Sequence, residues 1–178
     1  MKKTLLFTLA LTAICILPSC KKNPSQDKVV FGKIQWMYVK SYKDVPLVEQ
    51  YGHNSWGYFV DFNNDGHNDV QFHSTSELGG EGILTELYCC DENTALLGEI
   101  IDQKFTLLAN NANDSFDYNS TFMSTNVTLF RYGINYFPMN EVKYIGFKLT
   151  KDENTGLGWM KVILHEDYVE LLETAVQD

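Results

Sequence analysis

Residues 141–150 read Glu-Val-Lys-Tyr-Ile-Gly-Phe-Lys-Leu-Thr. In an extended chain Lys143, Ile145, Phe147 and Leu149 share one side, opposite Val142, Tyr144, Gly146 and Lys148. Side chains of a strand alternate between its faces, and β-branched and aromatic residues fit a pleated, half-buried surface. A period of two sustained over this length predicts a strand. Two similar runs follow, Leu157 to Leu164 and Tyr168 to Ala175, with His165, Glu166 and Asp167 as a solvated turn between them.

Working upstream, Val29 to Val39 is rich in β-branched and aromatic residues, and Trp56, Tyr58 and Val60 alternate with Gly57, Phe59 and Asp61. Val70 and Phe72 alternate with Gln71 and His73; Ile83 to Cys90 follows Gly79-Gly80-Glu81-Gly82, and Thr121 to Tyr132 continues the pattern. Short strands separated by Gly, Asn and Asp clusters predict an all-β fold, a single antiparallel β-sandwich of jelly-roll-like form. At most one short helix is expected, over Glu92 to Asp102 behind an Asp91 cap, with Gly98 weakening it. Asn110 to Asn119 is polar and reads as a loop.

One stretch carries recognisable chemistry. In DFNNDGHNDVQF, Asp61, Asn63, Asp65 and Asp69 occupy positions 1, 3, 5 and 9 of a D-x-N-x-D-G-x-x-D pattern, with Gly66 at position 6. A loop that curls round a cation presents alternate side-chain oxygens to it, and glycine permits the sharp turn. The backbone carbonyl of His67 would supply position 7. Hard oxygen donors select Ca²⁺ over softer metals, and Mg²⁺ demands stricter octahedral geometry. A structural Ca²⁺ ion of weak, extracellular-type affinity is therefore expected. Position 12, where an EF-hand places a bidentate Glu, is Phe72. The pattern instead resembles the shorter Asp-rich loops of extracellular calcium-binding repeats, with Glu77 or Glu81 as candidates to complete the shell. The competing reading is a plain turn in which Asn and Asp bond their own backbone.

The N-terminus has a different grammar. Lys2 and Lys3 precede an apolar run from Leu5 to Leu17, shorter than the about 20 residues of a bilayer span. Residues 1–19 are thus expected to be an export signal. Leu17-Pro18-Ser19-Cys20 resembles the lipobox of bacterial lipoproteins, which implies lipidation of Cys20; Pro18 departs from the commonest form. Two acyl chains hold a domain at a membrane far more firmly than one. Residues 20–28 are polar and read as lipid anchor and tether, leaving 29–178 as one domain. The resemblance places the chain in a bacterial cell envelope, on the outer membrane. The periplasmic and the surface side both remain open, Lys21 and Lys22 standing where some surface lipoproteins carry acids and so favouring the periplasmic one.

Loss of Lys2 and Lys3 takes the net charge from −9 to −11. That excludes nucleic acid as a partner, since phosphate binding needs clustered Lys and Arg; cations remain compatible. Aromatics at 13% argue against disorder. With Cys15 in the signal and Cys20 lipidated, only the adjacent Cys89 and Cys90 remain as thiols. They read as small strand hydrophobes, the alternative being a strained vicinal disulfide.

The segments VDFNNDGHNDVQF, YIGFKL, GLGWMKVIL and YVELLETAV, in this order over residues 55–176, resemble a loose group of secreted, Bacteroidetes-type bacterial lipoproteins. That group has no assigned activity, so the resemblance implies a β-rich exported domain and no mechanism.

The leading expectation is a non-enzymatic domain with a binding or structural role, its partners the membrane and an envelope protein or a glycan. As a carbohydrate-binding module it would offer Trp36, Tyr38, Trp56, Tyr58, Tyr132 and Trp159 as stacking residues, although aromatics at strand spacing usually belong to cores. The rival is a small glycoside hydrolase, which needs two facing carboxylates. Glu77, Glu81 and Glu86 cluster near a Gly-rich turn. His53, His67, His73 and His165 are scattered, without an HExxH or GxSxG motif.

Overall fold

In the computed structural model the run from Val142 to Thr150 lies in a ten-residue strand, Val142–Lys151, whose two faces go to two different cores. The structure describes residues 28–34, 37–42, 49–50, 55–76, 82–151, 154–166 and 168–177, with backbone alone at 49, 50 and 56. The expected export signal and the expected tether to Asp27, with Cys20, as well as Trp36, His53, Glu77, Glu81, Asp167 and the Trp56 side chain, lie outside the described residues.

The strands in chain order begin with β1 (Lys28–Val30), β2 (Met37–Ser41), β3 (Glu49–Gln50), β4 (Ser55–Val60) and β5 (Val70–Ser76). Then come β6 (Ile83–Cys89), β7 (Thr94–Ile101), β8 (Lys104–Leu107), β9 (Ser115–Asp117) and β10 (Phe122–Met123). β11 (Val127–Arg131), β12 (Ile134–Asn135), β13 (Val142–Lys151), β14 (Asn154–Leu164) and β15 (Val169–Gln177) complete the fold, and the described residues contain no helix. A seven-stranded sheet runs β10-β7-β13-β14-β15-β2 with β8 attached to β7; a six-stranded sheet runs β12-β11-β6-β5-β4-β3. β1 and β9 form a separate two-stranded ribbon. All strand pairs are antiparallel, and the arrangement is a β-sandwich with an extra partial layer.

Alternation explains the layers. Ile145, Phe147 and Leu149 of β13 join Met160, Val162 and Leu164 of β14 in the inter-sheet core, against Val60, Val70, Phe72 and Leu87 of the six-stranded sheet. On the reverse face Tyr144, Leu157, Trp159 and Ala175 pack under Val29, Phe31 and Phe116 from the ribbon and its flanking turn. Each fully buried aliphatic or Phe side chain contributes roughly 1.5–3 kcal/mol relative to exposure. Phe147 lies directly over its register partner Gly158, where a Cβ would stand 2.3 Å from the ring.

The sandwich and its antiparallel order match the sequence reading; three local expectations do not survive. Glu92–Asp102 is not a helix. Residues 94–101 form β7, with Thr94 to Gly98 all buried, Leu96 in the inter-sheet core and Leu97 in the outer one. A helix presents one apolar stripe, whereas this segment must face two cores, and a short isolated helix is marginal in any case. The Asp91 cap exists, but its Oδ1 accepts from the N–H groups of Asn93 (2.9 Å) and Thr94 (3.2 Å), closing a turn. Asn110–Asn119 is not wholly loop either: Phe116 is drawn into the outer core beside Phe31, ring centroids 4.9 Å apart, and carries β9 with it. Finally, Val29–Val39 is no continuous strand, because Gly32 takes φ +75° and turns the chain. Cys89 and Cys90 are both free thiols, Cys89 half-buried against the core and Cys90 exposed beyond the strand end.

Candidate functional site

The Asp61–Asp69 segment joins β4 to β5, and its ends are fixed by the sheet. Val60 and Val70 are register partners, Asp69 N–H donates to the Val60 carbonyl at 2.8 Å, and Cys90 N–H donates to the Asp69 carbonyl at 2.9 Å. Phe62 is fully buried and stacks on Phe147, centroids 3.8 Å apart and planes 7° from parallel. The loop is therefore pinned to the core at its second residue while Asp61, Asn63, Asp65 and His67 remain near the surface. Asn64 (φ 58°) and Gly66 (φ 89°) are left-handed. Asn tolerates that region and Gly occupies it freely, so the two positions let the chain curl.

Inside the curl the side chains bond their own backbone. Asp61 accepts through Oδ1 from Asp65 N–H (3.2 Å) and through Oδ2 from Gly66 N–H (2.8 Å). Asn63 Oδ1 accepts from the same Asp65 N–H at 3.1 Å. Asp65 Oδ1 accepts from His67 N–H at 2.9 Å, and its Oδ2 from Asn63 Nδ2 at 3.1 Å. The oxygens at positions 1 and 3 thus meet at one amide, while the position-5 carboxylate turns to the Asn63 amide nitrogen and the His67 N–H. His67 has an exposed side chain.

Asp69 sits apart. Its residue is only 4% exposed, and its Oδ2 accepts from Phe62 N–H at 2.6 Å. Burial pushes its carboxyl up to about 6, the Phe62 N–H opposes that rise, and Asp61, Asp65 and Asp91 add to it. Asp65 goes the other way, held down at about 2 chiefly by the ammonium of Lys151 and also by the His67 N–H. Lys151 Nζ lies 2.9 Å from Asp65 Oδ2. Among the described residues no three His, Cys, Asp or Glu side chains stand close enough together to hold a metal ion. The side-chain oxygens of Asp61, Asn63 and Asp65 bond within the curl, whereas that of Asp69 is buried on the Phe62 N–H. Lys151 is the residue that spacing could not reveal, since it comes from the far end of β13.

The remaining candidates separate cleanly. Trp159 is buried, and its indole N–H donates to the Lys33 carbonyl at 3.4 Å. Tyr58 packs against the inter-sheet core, Tyr132 occupies a left-handed turn position with the Arg131 guanidinium over its ring, and Tyr38 is 40% exposed on β2. His165 stacks on Tyr168 and meets Glu170 Oε2 at 3.3 Å within the β14–β15 turn. His73 and Glu86 are register partners on β5 and β6. His73 Nε2 lies 2.7 Å from Ser55 Oγ, and Tyr88 OH donates to Glu86 Oε2. Comparison with known protein families, with curated proteins and with solved structures finds no match.

Proposed function

We propose that this chain is a cell-envelope lipoprotein whose β-sandwich has a non-enzymatic binding or structural role and takes Ca²⁺ as a structural ion in the Asp61–Asp69 loop. The observation that supports the metal reading is the convergence of two side-chain oxygens on one backbone amide, with the Asp65 carboxylate bonded alongside. Asp61 Oδ1 and Asn63 Oδ1 both reach the Asp65 N–H, at 3.2 and 3.1 Å, and Asp65 itself is bonded to Asn63. A loop so ordered needs little rearrangement to present oxygens to a cation, and like charges on Asp61 and Asp65 favour one. Water completes a Ca²⁺ shell of six to eight oxygens around a donor set this small. The ion would brace the β4–β5 connection and, through Phe62 on Phe147, the packing of the two sheets.

Support for the anchor is the Leu17-Pro18-Ser19-Cys20 sequence behind a charged, short apolar leader. The non-enzymatic role rests on the lack of any recognisable catalytic motif in the sequence. Two measurements test the reading. Thermal melting of the chain in millimolar Ca²⁺ and in chelator should show stabilisation by Ca²⁺ that Asp65→Ala abolishes; identical melts in both conditions would eliminate the ion. Mass spectrometry of the N-terminal peptide should find a diacylated cysteine, and Cys20→Ala should release the domain from membranes.

A further inference from the structure

The two sheets are treated differently on their outer sides. The ribbon of β1 and β9 covers the seven-stranded sheet, whereas among the described residues no layer covers the outer face of the six-stranded one. Register defines what that face displays. Phe59, Gln71 and Tyr88 stand side by side across β4, β5 and β6. The next row is Gly57, His73 and Glu86, and the one after is Ser55, Thr75 and Leu84. Gly57 contributes no side chain beside His73.

This face is held in place rather than loosely solvated. His73 Nε2 meets Ser55 Oγ at 2.7 Å and Thr75 Oγ1 at 3.4 Å, and the two hydroxyls lie 3.4 Å apart. The Tyr88 hydroxyl donates to Glu86 Oε2, and its ring packs edge-on to His73, centroids 5.8 Å apart. Ser55, His73, Glu86 and Tyr88 are all half-buried. At the end of the neighbouring row Phe59, an aromatic pointing away from the core, keeps 37% of its surface exposed.

We propose that this face binds a neutral carbohydrate chain, with Phe59 as stacking platform and His73, Glu86 and Tyr88 as hydrogen-bonding groups. A sugar offers hydroxyls that both donate and accept, which suits an array mixing a carboxylate, an imidazole, hydroxyls and an amide. Its C–H faces suit the electron-rich face of an aromatic ring. Side chains already fixed by one another lose little freedom on binding. The chain's net charge of −9 repels polyanions, so acidic polysaccharides and nucleic acids are disfavoured. An array spread across three strands fits an extended chain better than a small molecule. The inference rests on the binding role proposed above and is independent of the calcium loop.

The test is affinity electrophoresis of the detergent-solubilised full chain in native gels containing laminarin, galactomannan or xyloglucan, with alginate as the acidic comparison. Retardation by at least one neutral polymer is expected, weakened about tenfold or more by Phe59→Ala and by Glu86→Gln. Asp65→Asn, which disables the calcium loop, should leave it unchanged, so loss of Ca²⁺ stabilisation with intact retardation separates the two proposals. Circular dichroism of each variant checks that it is folded; Glu86→Gln, which changes no shape, serves if Phe59→Ala is not. Absence of retardation by all three neutral polymers, retardation indifferent to both substitutions, or stronger binding to alginate would each overturn the proposal.

Discussion

Lys151 and Asp65 lie 86 positions apart in sequence, yet the ammonium of one touches the carboxylate of the other at 2.9 Å. The contact spans the two sheets, from the end of β13 to the β4–β5 loop. Lys151 is 57% exposed, so water and salt screen the pair; its net contribution is at most about 1 kcal/mol. The lysine occupies an oxygen that the proposed Ca²⁺ would use, and ion and lysine therefore compete. Lys151→Met should lower stability slightly in chelator and raise apparent Ca²⁺ affinity. Calorimetric titration checks this, and unchanged affinity would mean that Asp65 is not a ligand.

Asp69 makes the fold sensitive to pH in an uncommon direction. Its carboxyl titrates near 6 when folded, against an ordinary value of 3.8. Between those values the folded chain keeps a proton that the unfolded chain has released, so this group's contribution falls as pH rises through the window. Two units correspond to roughly 3 kcal/mol at most. Asp69→Asn preserves an acceptor for the Phe62 N–H without the charge. In chelator, its stability advantage over the native chain should grow from pH 4 to pH 7 in urea melts; a constant difference would contradict the buried-acid account. Asp65, depressed to about 2, works oppositely. Its contribution is present above the ordinary value and is lost as pH falls toward 2.

Much of this was legible in the sequence because alternation and turn chemistry are local. The period of two in 141–150 placed Ile145, Phe147 and Leu149 on one face, as found. Its second face was ambiguous, since Tyr144 and Gly146 gain their partners only when Phe116 folds back from a segment that reads as polar loop. The expected helix at 92–102 failed for a related reason: Leu96 and Leu97 are adjacent and serve two cores, which only a strand between layers allows. For the loop, the positions of Asp61, Asn63 and Asp65 followed from spacing and Gly66. Lys151 did not, because a contact between sheets has no sequence period.

Gly158 gives a packing test of the central β13–β14 pair. A Cβ there would lie 2.3 Å from the Phe147 ring and 2.6 Å from the Ala175 carbonyl. Neither can yield easily, for Phe147 is fully buried and Ala175 sits in the paired strand β15. Gly158→Ala should cost about 1–3 kcal/mol or more through overpacking. Urea unfolding checks it, and a neutral effect would mean that Phe147 has space to move.

Phe62 is where the loop and the core become one problem. It stands one residue after Asp61, is fully buried, and stacks flat on Phe147 of the opposite sheet. Its N–H donates to Asp69, so its side chain and backbone each fix a different part of the loop. Phe62→Ala removes a large buried ring and should cost about 3–5 kcal/mol in chemical unfolding. Phe62→Leu keeps most of the apolar area and should cost roughly 1–2 kcal/mol. If the stack positions the loop as well as filling the core, the alanine variant should also lose most of its Ca²⁺-dependent stabilisation, while the leucine variant keeps it. Equal Ca²⁺ stabilisation in both would show that the Asp61–Asp65 curl is held by its own backbone bonds and needs nothing from the core beneath it.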